Sequence, residues 1–155
     1  MTFWRFLHLI ALFLLMTGVG STVVPIWKAW AAPTTEEKSF LLNEAQRGET
    51  LILLPGLIAT LFSGYFWATA AGWNVVTTGW LVALQVITML DLFIFVPLMG
   101  VGLRRVRYLA LAARKHGEET PELREALADN VPLVFGTLVV ATIPLMVWLP
   151  VFKPF

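Results

Sequence analysis

The sequence predicts an all-α membrane protein, a four-transmembrane-helix bundle with short loops, and three observations carry that expectation. Hydrophobic residues make up 58% of the 155 and charged residues only 14%, against about 25% charged in soluble chains. The apolar residues fall into four runs, at about 3–30, 50–71, 77–103 and 131–151; each supplies the ~20 residues needed to cross ~30 Å of hydrocarbon. The polar residues collect between runs, at 33–49 and 104–129. A soluble fold of this length could not hide so much apolar surface, so residues 1–155 read as a single membrane domain in contact with the lipid bilayer.

Each run is expected to be helical, because unpaired backbone groups cannot be left in lipid. Pro25, Pro55, Pro97 and Pro144 predict kinks or first-turn positions within the spans. The first run ends in Ala29-Trp30-Ala31, which has the small-x-small form of a signal cleavage site. Its apolar stretch is about twice the length of a signal's core, and Lys28 stands where such a site prefers neutrality. It is therefore expected to remain as a span.

The two polar segments contain little. Residues 33–49 read as a short connection with an amphipathic piece around Phe40–Leu42. In 104–129 the third helix is expected to continue to about His116 and to break at Gly117. A short helix then starts with Thr120 as N-cap, Pro121 in its first position and Glu122 at the positive end of the dipole.

Charge orients the bundle. Nine cations (Lys28, Lys38, Arg47, Arg104, Arg105, Arg107, Arg114, Lys115 and Arg124) come after the first or third run, and two, Arg5 and Lys153, lie on the other side. The positive-inside rule then puts both loops in the cytoplasm and both termini outside. Trp27 and Trp30 mark the inner interface, and Trp4, Trp73, Trp80 and Trp148 the outer one. Arg104, Arg105 and Arg107 are candidates for anionic lipid headgroups, against the simpler role of setting topology.

Several functions are excluded. A net charge of +1 calls for no nucleic-acid partner. The lack of cysteine removes disulfides, thiolate metal sites and cysteine nucleophiles. There is no phosphate-binding glycine loop, HExxH or Gly-x-Ser-x-Gly elbow, so no catalytic set and no metal centre is expected.

Two side chains stand out. Counted at ~1.5 Å per residue, Asp91 falls near the bilayer midplane, level with Thr17, Ser63 and Thr142. An ionised carboxylate there is costly, so Asp91 reads either as a proton or cation site or as a neutral partner of an interhelical hydroxyl such as Ser63. Gln85, about two turns outward, would extend a polar track. His8 lies near the outer end of the first span, one turn from Arg5. A neutral imidazole there can ligate haem iron or simply hydrogen-bond at the interface. His116 is in a loop and cannot join it, while Met89 and Met146 lie deeper. Gly18, Gly20, Ser21, Ser63 and Gly64 read as small residues that let helix backbones approach. No internal repeat is evident between the first and second pairs of spans.

The order of His8, Gly18-Val19-Gly20, Pro55-Gly56, Ser63-Gly64, Gly79-Trp80-Leu81, Met146-Val147 and Lys153-Pro154 resembles a bacterial family of predicted integral membrane proteins of unknown function, over nearly the whole chain. That family is distantly similar to the copper-resistance D proteins and the J-type protoporphyrinogen oxidase. In the J-type enzyme a first-helix histidine is associated with haem b, and the matching position is His8. The chain lacks that pattern's second intramembrane histidine and its mid-span lysine. The resemblance implies a multi-pass protein of the bacterial inner membrane.

Three functions are expected, in this order. The first is a non-enzymatic accessory or packing subunit of a larger membrane assembly, or of a homo-oligomer. The second is a haem-binding redox protein using His8. The third is proton- or cation-coupled transport through Asp91, for which four spans are few, so that a homo-oligomer would be needed.

Overall fold

A computed structural model describes residues 2–155. Among them there is no strand, and four helices are long and apolar enough to cross a membrane: Thr2–Ala31, Thr35–Ala70, Gly79–His116 and Pro121–Phe152. The first is one unbroken helix, α1 (Thr2–Ala31). The second runs as α2 (Thr35–Gly48), a π-helical turn (Glu49–Leu53) and α3 (Leu54–Ala70). The third repeats that plan as α4 (Gly79–Leu90), a second π-turn (Asp91–Phe95) and α5 (Val96–His116). The fourth comprises the short α6 (Pro121–Ala128) and α7 (Val131–Phe152).

Local chemistry accounts for the ends. Thr34 caps α2, its hydroxyl accepting from Glu37 N–H at 3.2 Å, and Thr120 caps α6 by accepting from Leu123 N–H at 3.3 Å. Each cap satisfies a donor that a helix start leaves free. α5 stops at Gly117, whose φ of 76° is a left-handed conformation that costs glycine little.

Both π-turns lie just ahead of a proline, Pro55 or Pro97. Proline offers no N–H and its ring crowds the carbonyl four residues back. The chain responds by widening. Leu54 N–H bonds to Glu49 O, and Val96 N–H to Asp91 O, each five residues back. The helix passes the proline without a break but with its register shifted.

α1 packs against α2, α3 and α7, while α5 lies against α2 and α7. Small residues set how closely α1 meets the second span. Gly18 rests on the backbone of Leu53, a Cβ on Gly56 would come 2.8 Å from Leu15 N, and one on Gly48 would come 2.6 Å from Ser21 O. These are the close backbone approaches expected of membrane helices. Gly20 is different: it faces open space. The main core around Ile26, Leu53, Val96, Met99 and Leu103 occupies the part of the bundle toward the basic segments, and a smaller cluster of Ala68, Trp80, Leu81 and Leu149 closes the end that carries both termini. Phe13, Leu51, Phe62, Phe93, Val101 and Val151 project outward, as lipid-facing positions do.

Candidate functional site

Asp91 opens the second π-turn and is only 3% exposed. One carboxyl oxygen, Oδ2, lies 2.9 Å from Thr142 Oγ1 on α7. The same hydroxyl lies 2.7 Å from the carbonyl of Val139. A threonine hydroxyl has one hydrogen and can also accept. Two arrangements are therefore open without moving a heavy atom. With the acid neutral, Asp91 donates to Thr142, and Thr142 donates to Val139 O. With the acid ionised, Thr142 turns its hydrogen to Asp91.

The other oxygen, Oδ1, is buried without a protein partner. The Asp91 side chain lines a cavity of about 10 Å³ shared with Leu15, Val19, Leu53, Val139 and Met146. That is near the ~10–15 Å³ that one water requires.

A second acid occupies the equivalent place on the second span. Glu49 opens the first π-turn and is 1% exposed. Gln46 Nε2 donates to its Oε2 at 2.5 Å. Arg104, itself about half exposed, reaches Oε1 at 3.4 Å, and Gly100 leaves the room that this oxygen takes. Hydropathy alone places Glu49 at the end of a polar connection and does not mark it as an interior residue. A signal is nevertheless present: Glu49-Thr-Leu-Ile-Leu-Leu-Pro55 and Asp91-Leu-Phe-Ile-Phe-Val-Pro97 share the acid, the isoleucine and the proline at the same offsets. The repeat relates the second span to the third, rather than one pair of spans to the other.

The remaining residues singled out from the sequence separate into other groups. Ser63 pairs with His8, not with Asp91: His8 Nδ1 lies 3.0 Å from Ser63 Oγ. Ser63 Oγ also lies 2.6 Å from Ala59 O, so its single hydrogen goes either to that carbonyl, with His8 Nδ1 donating to the hydroxyl, or to His8 Nδ1. Gly64 makes space for the ring, whose Cε1 would stand 3.2 Å from an added Cβ, and Trp67 tilts over it at 5.4 Å. Thr17 bonds back to Phe13 O on an exposed face. Tyr65 OH donates to Gln85 Oε1, while Gln85 Nε2 donates to Val75 O and Leu81 O at 2.7 and 3.1 Å.

The haem expectation can be tested on this geometry. An imidazole tied at Nδ1 with Nε2 free is suitable for iron, but a macrocycle also needs a slot. His8 borders neither the Asp91 cavity nor the lateral groove between the second and third spans. Met146 lines the first of these, Met89 the second, and His116 ends α5 at the opposite end of the bundle. Among the described residues no group of His, Cys, Asp and Glu could hold a metal ion. Within one chain, His8 thus shares neither of these cavities with Met89, Met146 or His116.

The three arginines considered for lipid headgroups all have partners in the chain. Arg104 meets Glu49, Arg105 meets Asp129 at 2.8 Å, and Arg107 donates to Asn43 Oδ1 at 3.0 Å. They tie α5 to the second span, to the α6–α7 turn and to α2.

An all-helical chain with four apolar spans, buried acids at two π-turns and outward apolar faces defines a polytopic integral membrane protein. The chain belongs to the family described as Predicted integral membrane protein (DUF2269), whose model matches residues 2–154. No curated protein and no solved structure matches it, and the more distant resemblance to copper-resistance D proteins and the J-type oxidase gains no support from these comparisons.

Proposed function

We propose that this protein takes up and releases a proton at Asp91 inside the membrane, as part of proton-coupled transport. The observation that carries the reading is the state of the carboxyl group: one oxygen on a hydroxyl that can reverse its hydrogen, the other without a protein partner, in a side chain that lines a water-sized cavity. Ionisable groups within spans mark proton and ion paths by default. The arrangement accepts both protonation states at fixed geometry, which a purely structural pair does not require. Transport through four spans calls for a homo-oligomer, and we place the chain in a bacterial inner membrane with its termini outside and its basic loops in the cytoplasm.

The accessory-subunit reading rests on composition, and the haem reading on a single imidazole; Asp91 combines burial, a partner and a neighbouring cavity near the size of one water. The test is proton flux into liposomes carrying the purified protein and an internal pH dye. The wild type should dissipate an imposed gradient faster than empty vesicles, and Asp91→Asn should return the rate to background while keeping its helical spectrum. A wild-type rate equal to that of empty vesicles, or equal flux from Asp91→Asn, would overturn the proposal.

A further inference from the structure

Thr22 on α1 is fully buried, and its hydroxyl has no partner among the described residues. It follows Leu15 by seven residues and Val19 by three, so it shares the face of α1 that gives those two to the cavity at Asp91. Leu53 and Val96 are also in the cavity wall. Glu49 stands one turn from Leu53 along the second span, and Gly100, against which its carboxyl rests, stands one turn from Val96 along the third. The cavity and the Glu49 carboxyl are thus separated by one helical turn, about 6 Å along the bundle. The contacts of Gly18 with Leu53 and of Ser21 with Gly48 set Thr22 level with Glu49, at the far end of that turn.

Glu49 is furnished for both protonation states, as Asp91 is. Ionised, it receives Gln46 Nε2 at 2.5 Å and Arg104 at 3.4 Å. Neutral, its O–H needs an acceptor, and Gln46 Oε1 is buried without a partner among the described residues. Turning the amide over presents that oxygen to the acid. Arg104 loses little when Glu49 is neutralised, because its guanidinium is half exposed and stays hydrated. The same exposure leads from the buried carboxyl to water, at the end of the bundle that carries the basic segments.

We infer, building on the reading of Asp91 as a proton carrier, that Glu49 exchanges the proton of Asp91 with the basic end of the bundle by way of the Thr22 hydroxyl. Neutral Asp91 gives its proton to a water in the cavity. That water passes a proton to Thr22 Oγ1, whose own hydrogen goes to the Glu49 carboxylate. Asp91 is left ionised and Glu49 neutral, and Glu49 then releases the proton to water beside Arg104. Only O–H bonds form and break.

Proton flux into liposomes, read together with the infrared carboxyl stretch, tests it. The band of neutral Asp91 is the one missing from Asp91→Asn. Glu49→Gln should slow flux about tenfold or more while keeping that band. Thr22→Val removes a hydroxyl without a partner among the described residues, so flux should fall about tenfold with no lowering of the unfolding midpoint. Wild-type flux no faster than that of Asp91→Asn sinks the reading of Asp91 itself. Flux that needs Asp91 but is unchanged in Glu49→Gln or in Thr22→Val overturns this inference alone. So does flux lost in Glu49→Gln together with the Asp91 band, which would make Glu49 a support of the Asp91 site.

Discussion

Thr142 provides the hydrogen-bond partner that makes Asp91 tolerable in the core. Replacing it with valine keeps the shape and removes the hydroxyl, leaving both carboxyl oxygens without a protein partner. The expected loss is about 1–2 kcal/mol, measurable as a lower midpoint in detergent unfolding, and proton flux should fall with it. Gly18 offers a contrasting case, because its neighbour is the Leu53 backbone and not the end of a flexible side chain. Gly18→Ala must push α1 away from the second span, at a cost of about 1–3 kcal/mol. Gly20→Ala meets open space and should unfold like the wild type in the same assay. From sequence the two glycines look alike. Only the partner helix distinguishes them.

The two π-turns are where element-scale reading and structure part company. Hydropathy locates apolar runs but is blind to register, and a π-turn leaves the run unchanged while rotating every residue beyond it. The helix also continues through Thr35–Gly48, where sequence suggests a connection, because Leu42 and Ala45 of α2 are buried in the core. Glu49 thus becomes an interior residue with Arg104 and Gln46 as partners. Pro97→Ala restores a backbone donor and lets α4–α5 close into α-helical register, turning Asp91 by about 100° relative to the segment beyond. Flux should drop toward the Asp91→Asn level with the helical spectrum unchanged; flux equal to wild type would show that the π-turn is not needed to aim the acid. Removing the charge of Glu49 by Glu49→Gln leaves Arg104 half exposed and hydrated, so a far smaller loss is expected than from Arg104→Leu, which leaves a buried carboxylate unpaired. Thermal unfolding of the two variants checks the order.

At the scale of the molecule, the proposed orientation is open to a direct test, since the chain contains no cysteine. A single cysteine at Thr77 should react with a membrane-impermeant maleimide on intact cells, and one at Glu118 only after lysis. The reverse pattern would invert the topology.

The sequence by itself determined the solvent of this protein. Composition, run length and the nine-to-two division of cations dictate four helices in lipid, because those quantities depend only on which residues occur and how far apart they stand. It also singled out Asp91, Thr142 and His8 as the polar groups to explain. Tertiary structure decided the pairings: Thr142 with Asp91, Ser63 with His8, Arg104 with a glutamate that hydropathy assigns to a loop. Depth along a helix can be counted, but the direction a side chain points around the axis depends on packing. Here two prolines shift that direction at the two places where an acid enters the core.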